Sequence, residues 1–326
     1  MTTIDIETLR QPIQQHFERF EEAFRATLRS EITLINTIHR YILAQEGKKI
    51  RPILLLLSAR LCGEPNHQSY VAASLVEILH TATLVHDDIV DESDIRRGQP
   101  SVRAIWKNQI SVLLGDYLFS KSLRNMLSLR NFEALDMLAE TSELLSSGEL
   151  LQLEKSYRNT MDEEVYYQMI WAKTASLFAT ACKLGAITGG AEPALQQRLW
   201  AYGRNLGMAF QIKDDLFDCT GSKAVVGKPT GRDIKSNLIT LPLLYTLQAL
   251  PDDQSSRIRE QLKKNLSDAE LSEICALIED KGGLRYTRAV LRDFSRKARE
   301  QLKDFPDSAV RESLATFVDF NEARTS

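Results

Sequence analysis

Apolar residues recur at intervals of three and four along almost the whole chain, and the alternation expected of strands is scarce. Phe17, Phe20 and Phe24 mark one face of a helix predicted over 7–29, with a second over 32–46. Gly47 suits a helix end, and Pro52 suits the first turn of the following helix, PILLLLSARL. A polar loop containing Pro65 precedes a helix over 70–92. No proline falls between Ser101 and Glu192, a span that predicts helices at 103–109, 110–129, 131–155 and 162–188. Further helices are expected at 194–220 and from Pro242 to Leu250, then amphipathic helix over 254–322 broken at Gly282-Gly283 and Pro306. The pattern predicts an all-α protein, and since no linker divides it, one domain over 1–326.

Two of these helices run into the same acidic text. Asp87-Asp88-Ile89-Val90-Asp91 ends one, and Asp214-Asp215-Leu216-Phe217-Asp218 ends another, with the first Asp of each 127 residues apart. In each cluster the first and last Asp share a helical face, where carboxylates repel unless a cation lies between them. Hard divalent ions with oxygen ligands fit that need, and Mg2+ takes only one or two carboxylates alongside phosphate oxygens. One acidic run is ordinarily a solvated surface, but the second copy shifts the reading toward paired sites. His80 lies two turns before Asp87, and Gln211 two turns before Asp218, each on the face of its acids. His86 is expected to support the carboxylates as a hydrogen-bond partner.

Cations are distributed near these acids. Lys48 and Arg51 stand at the Gly47–Pro52 junction, as a basic hinge or a phosphate clamp, and Arg96-Arg97 follows the first cluster with the fork geometry suited to phosphate. Lys173-Thr174 interrupts an apolar helical face, and a buried Lys there needs an anionic partner or a lowered pKa. Lys228 belongs to a glycine-bearing loop over 220–233 that lacks the order of a P-loop but can still close over phosphate.

Composition narrows the chemistry. The 326 residues are 43% apolar with a formal net charge of −3, enough for a substantial core and no indication of nucleic-acid binding. No run of 18 apolar residues appears, so no transmembrane segment is expected, and no apolar signal region opens the chain. Cys62, Cys182, Cys219 and Cys275 form no CxxC pair and read as reduced thiols of a cytoplasmic protein. Histidines and cysteines lack zinc spacing, and no nucleophile with an oriented base is evident. Two acidic clusters with Mg2+ can instead bind a diphosphate and stabilise it as a leaving group, while the basic set binds a second diphosphate. Apolar walls would keep water from an allylic cation.

These segments resemble the trans-isoprenyl diphosphate synthase family, in its long-chain, octaprenyl-like branch. The resemblance is carried by GKKIRP, HTATLVHDDIVDESDIRRG, VLLGDYLF, GELLQLE, KTASLF, FQIKDDLFDCTG and GKPTGRD, in order from about residue 40 to 245. It implies the isoprenoid synthase fold, a single large helical bundle around a deep central cavity. It also implies Mg2+-dependent 1'-4 condensation of isopentenyl diphosphate onto an allylic prenyl diphosphate, and a homodimer built through central helices. Asp87, Asp88, Asp91, Asp214, Asp215 and Asp218 match the two aspartate motifs, which together would bind three Mg2+ ions. Lys48, Arg51, His80 and Arg97 match the isopentenyl diphosphate contacts, and Arg96, Lys173 and Lys228 those to the allylic diphosphate. Lys173, Thr174 and Gln211 lie where relatives stabilise the allylic cation. Alternatives are a short-chain farnesyl or geranylgeranyl diphosphate synthase, a terpene cyclase, or a non-catalytic synthase subunit; complete acidic motifs disfavour the last two.

The chain also departs from the pattern. Leu238 stands where many relatives place lysine or asparagine, and Asn321 follows Phe317-Val318 without the arginine common there, which puts closure by the carboxyl terminus in doubt. Product length is expected to follow the apolar side of the first motif's helix. Ala82 and Thr83, five and four residues before Asp87, are small where short-chain relatives often carry an aromatic. Leu79 and Val76 lie deeper, with Leu123 and Met126 as candidates for the floor of the channel. At about 5.4 Å per helical turn and about one isoprene unit per turn, the expected product has roughly thirty to fifty carbons, forty being the single best value.

Overall fold

The computed structural model describes residues 5–45, 47–220, 231–264 and 266–324, the side chain of Arg232 excepted. Helix α1 (Ile6–Arg10) passes through a 3-10 turn (Gln11–Ile13) into α2 (Gln14–Leu28), followed by α3 (Thr33–Ala44), α4 (Ile50–Cys62) and α5 (His67–Val90). The chain continues with α6 (Val102–Ser128), α7 (Phe132–Arg158), α8 (Glu163–Ile170), a π-helical turn (Trp171–Ala175), α9 (Ser176–Thr188) and α10 (Pro193–Thr220). The remainder forms helices Arg232–Lys235, Leu241–Gln248, Asp252–Leu262, Asp268–Asp280, Gly283–Glu300 and Ala309–Ala323.

Local chemistry explains the boundaries, including those the periodicity missed. The expected phenylalanine face of α2 is buried, with the Phe17 ring tilted against Phe20 and Phe20 stacked on Phe24. Helix α5 begins at His67, three residues before its predicted start, because Asn66 and Ser69 form a reciprocal capping box. The two helices expected over 103–129 are one, kinked where Lys107 adopts φ 71° and ψ 167°. The long amphipathic tail carries a further break, set by a second capping box between Ser267 and Glu270. A small antiparallel hairpin was not expected: Ile95–Arg96 pairs with Gln99–Pro100. Arg97 and Gly98 form its two-residue turn with φ of 51° and 74°, the positive values a type I′ turn requires.

The contacts group the chain into two compact units. The first contains Met1–Ser142, Thr180–Trp200 and Asp304–Leu314. In it α5 packs against α2, α4 and above all α6. The second contains Glu143–Ala179, Ala201–Lys303 and Ala315–Ser326. Its core joins Tyr166, Met169, Ile170, Ile212 and Leu216 to Leu241, Leu244, Ile274 and Ile278. There α10 approaches the 171–179 segment so closely that a Cβ on Gly207 would lie 2.6 Å from Ala175 Cα. No helix among the described residues is long and apolar enough to cross a membrane.

Candidate active site

The first acidic motif closes α5, with Asp91 as its C-cap. Asp88 is turned inward and buried, while Asp87 is half-buried and Asp91 exposed. Arg96 Nε donates to Asp88 Oδ1 at 2.7 Å, an arrangement the hairpin makes possible by folding Ile95–Arg96 back toward the helix end. Burial pushes the Asp88 carboxyl upward, and Arg96 opposes it. His86 does not serve the motif carboxylates as expected. Its Nε2 lies 3.3 Å from the Val112 carbonyl oxygen and 3.4 Å from Asp116 Oδ1, since Gly115 lets α6 close onto the imidazole.

The expected basic set lies in the same unit. Arg51 Nη1 donates to His80 Nε2 at 2.9 Å. Desolvation, reinforced by Arg51, Arg97 and Arg96, holds the His80 imidazole well below its usual pKa, so the ring accepts as a neutral base. Lys48 is exposed. Its neighbour Lys49, held at φ 43°, pairs with Glu21 at 2.5 Å. Arg97 lies against Gly47 and opens onto a cleft of about 440 Å3 lined also by Tyr41, Ala44, Gln45 and Gln99. Along α5, Val76, Leu79 and Ala82 are buried and Thr83 is half-buried; on α6, Met126 is buried and Leu123 exposed.

The second motif lies within the last two turns of α10. Asp215 is buried, and both of its oxygens are engaged: Tyr166 Oη donates to Oδ2 at 2.5 Å and Gln211 Nε2 to Oδ1 at 2.9 Å. Thr174 Oγ1 in turn donates to Gln211 Oε1 at 2.8 Å, so Thr174, Gln211, Asp215 and Tyr166 form one chain of hydrogen bonds. Burial pushes the Asp215 carboxyl up to about 7, against the lowering effect of its two donors. Asp218 Oδ2 accepts the Asp233 backbone N–H at 3.1 Å, and Asp214 Oδ1 lies 2.8 Å from Arg324 Nη1. Lys173 pairs with Glu149 at 2.5 Å and donates to Gln152 at 2.7 Å. That answers the need of a half-buried lysine for an anionic partner. Gly148 permits the approach, because a Cβ there would lie 2.7 Å from Ala172 Cβ. Lys173 and Thr174 occupy the π-helical turn, a local widening of the helix that frequently marks functional positions. Lys228 lies outside the described residues.

The two acidic motifs repeat one arrangement. Each stands at the negative end of its helix, where the macrodipole disfavours carboxylates, and each commits its middle Asp to protein donors. Asp87 and Asp91 in one, and Asp214 and Asp218 in the other, supply oxygen donors suited to Mg2+. No group of three or more metal-ligating side chains surrounds a single point among the described residues. Sequence reasoning missed Tyr166, Glu149, Asp116 and Arg324. Of the departures, Leu238 is half-buried against the second unit's core, and Asn321 accepts from Arg324 Nε at 2.9 Å. Three residues beyond Asn321 stands another arginine, Arg324, directed at Asp214.

A family profile described as polyprenyl synthetase matches residues 32–278. The octaprenyl diphosphate synthase of Escherichia coli is 34% identical over 311 residues, covering 95% of this chain and 96% of that protein. A short chain isoprenyl diphosphate synthase of Methanothermobacter thermautotrophicus is 36% identical over 318 residues, covering 94% and 96%. The crystal structure of a Caulobacter crescentus polyprenyl synthase, complexed with calcium and isoprenyl diphosphate, superposes with a TM-score of 0.92 at 32% identity over 100% of both chains. The chain belongs to the polyprenyl synthetase family. It is an enzyme, a prenyltransferase of the polyprenyl diphosphate synthase type.

Proposed function

We propose that this enzyme adds isopentenyl diphosphate repeatedly to an allylic diphosphate, head to tail, to make an all-trans product of about thirty to fifty carbons, forty being the best single value. In each cycle the allylic C1–O bond breaks and diphosphate departs. The isopentenyl C4 bonds to C1, and a proton leaves C2 for the departing diphosphate. The observation that carries this reading is the repeated arrangement of the two acidic motifs, each with its middle Asp buried and held by protein donors and its outer pair at the helix end only half-buried or exposed. Asp87, Asp91, Asp214 and Asp218 are the ligands we assign to Mg2+, with three ions expected when the allylic diphosphate is bound and Asp88 and Asp215 completing the motifs. Bound there, Mg2+ supplies stabilisation of the leaving group's negative charge.

The protein side of the reaction then follows from the side chains. Thr174 and Gln211, fixed by Asp215, present oxygen atoms toward the developing cation, and Lys173 contributes beside them. Arg96, Lys173 and Lys228 are assigned to the allylic diphosphate; Lys48, Arg51, His80 and Arg97 to isopentenyl diphosphate. The small residues Ala82 and Thr83 support the long product, although a relative named for short chains is as similar as the octaprenyl enzyme. An exposed apolar stripe on α6, including Val112, Phe119, Leu123 and Leu127, supports a homodimer through that helix. The four free cysteines agree with a cytoplasmic setting, and the whole of 1–326 is read as one synthase domain.

The test is incubation of the purified protein with both diphosphates and Mg2+, followed by chromatography of the dephosphorylated products. A ladder of longer prenyl alcohols is expected, and absence of any elongation overturns the proposal. Asp87→Ala or Asp214→Ala should lower kcat, whereas Arg51→Ala should raise the KM for isopentenyl diphosphate. An Arg51 deficit confined to the allylic KM would reverse the assignment of subsites.

A further inference from the structure

Glu77 is a charged residue in the middle of an otherwise apolar stretch of α5. It is 6% exposed, and its Oε2 has no hydrogen-bond partner among the described residues. One turn further along the same face is His80, bonded to Arg51 from α4. Burial is the leading influence on Glu77 and pushes its carboxyl upward, while the cations Arg51, Arg97 and Lys49 act against that shift. Arg97 is itself held in a restricted seat, since a Cβ on Gly47 would fall 2.3 Å from its Nη1. A carboxylate so enclosed is expensive to bury unless its charge is used. Here it lies among the guanidiniums assigned above to a diphosphate, and two like charges brought close to one another require a counter-charge while no ligand is present.

We propose that Glu77 is a positioning residue of the isopentenyl diphosphate site, its carboxylate holding Arg51 and Arg97 in the adjacent arrangement that one diphosphate group requires. This inference rests on the isopentenyl diphosphate reading of the basic set. It opposes the expectation from charge alone. Glu77 is an anion inside an anion site, so its neutralisation makes the pocket more positive and, by Coulomb's law alone, should tighten diphosphate binding. Pre-arrangement of the guanidiniums predicts the reverse, because ligand binding must then pay for ordering them.

The experiment is calorimetric titration of isopentenyl diphosphate into the full-length wild type, E77Q, R97M and the double variant, with steady-state kinetics on both substrates and thermal melting as a control for folding. E77Q is expected to weaken isopentenyl diphosphate binding and raise its KM by about tenfold or more, with the allylic KM within about threefold of wild type. In the R97M background E77Q should cost less than in the wild type, since one of its two partners is gone and only Arg51 remains. E77D retains the charge but withdraws it by one methylene; it should weaken binding less than E77Q, and it carries the test alone if E77Q does not fold. Unchanged or tighter binding by folded E77Q, independent losses in the double variant, an equal rise in the allylic KM, or wild-type affinity in E77D as the sole folded variant would each overturn the role. Wild-type protein that elongates an allylic primer and binds isopentenyl diphosphate while these variants behave so rejects the role of Glu77 alone. Wild-type protein that binds no isopentenyl diphosphate rejects the substrate reading and the role with it.

Discussion

The Tyr166 hydroxyl donates to Asp215 Oδ2 at 2.5 Å, inside the second unit's core, where both side chains are buried. This bond anchors a chain that ends at Thr174, so a residue seven positions before Lys173 controls the placement of groups assigned to the reacting carbon. Tyr166→Phe removes one hydroxyl and little volume. It should destabilise the protein by about 1–3 kcal/mol, the penalty for a buried acceptor deprived of its donor. It should also lower kcat by roughly ten- to a hundredfold through loss of positioning, with both KM values little changed. Thermal melting and steady-state kinetics check it; wild-type kcat in the variant would show that the chain does not position Thr174 and Gln211.

Arg324 fastens the carboxyl-terminal helix to the second acidic motif. Only 7% of its side chain is exposed; its guanidinium lies over the Phe210 ring and donates to the Phe210 carbonyl oxygen as well as pairing with Asp214. Arg324→Ala should lower stability by about 1–3 kcal/mol, less than a fully buried pair because Asp214 keeps much of its exposure. Removal of residues 321–326 should reproduce that loss and exceed it, since Asn321 is itself buried beneath the arginine. Chemical denaturation of the three proteins tests both statements, and equal stability of wild type and Arg324→Ala would contradict them.

Three histidines set the acid limit of stability. Burial is the leading cause that lowers the pKa of His16, His39 and His80, with nearby cations adding to it in each case. Protonation of His39 is opposed further because its buried Nε2 has no hydrogen-bond partner among the described residues. Below about pH 6.5 the unfolded chain takes up protons that the folded chain refuses, so unfolding becomes easier as pH falls, with a limiting slope of about 1.4 kcal/mol per pH unit for each such histidine. Melting temperatures should therefore fall between pH 7 and pH 5, though less steeply than three histidines alone would give, because Asp215, raised to about 7, is protonated on folding over the same range and acts in the opposite sense. His39→Gln, which can still donate to the Leu28 carbonyl, should fall less steeply. Parallel curves for the two proteins would exclude His39 as a contributor.

Much of this architecture was legible in the sequence, and the exceptions have definite causes. Helical periodicity located α2, α5 and α10 because each buries one continuous face, as Phe17, Phe20 and Phe24 illustrate. It could not reveal the π-helical turn at Lys173, which adds a residue to one turn without changing the apolar pattern around it. The Arg97-Gly98 hairpin turn was hidden for a different reason: its strands are two residues long, too short for alternation to register. Among site residues, spacing brought out the acids because they share a helix. Tyr166, Glu149 and Arg324 reach their partners from other segments of the chain, at separations no local pattern encodes. His86 was misread on that account, since its partner Asp116 lies across the α5–α6 contact and not along α5.

Product length is the property for which the relatives give the least guidance and α5 gives the most. Val76, Leu79 and Ala82 are spaced three residues apart on α5, and all are buried, while Thr83 is half-buried and bonds its hydroxyl to the His80 carbonyl. A prenyl tail attached to a diphosphate at Asp87 and Asp91 would pass Ala82 and Thr83 before it met Leu79, and one helical turn of about 5.4 Å accommodates about one isoprene unit. Ala82→Phe fills that first position with a ring and should shorten the main product sharply, toward fifteen or twenty carbons. Leu79→Ala should lengthen it modestly by opening the next turn, at a stability cost of about 2–5 kcal/mol for a buried leucine. Leu123→Ala separates two roles, because Leu123 is exposed on α6 in the single chain. A changed product length would place it at the channel floor, and a changed mass in light scattering with product length intact would place it in a dimer contact. Chromatography of dephosphorylated products from the four proteins, with light scattering for Leu123→Ala, reads these outcomes, and an Ala82→Phe variant that still makes the full-length product would refute a channel along this face of α5.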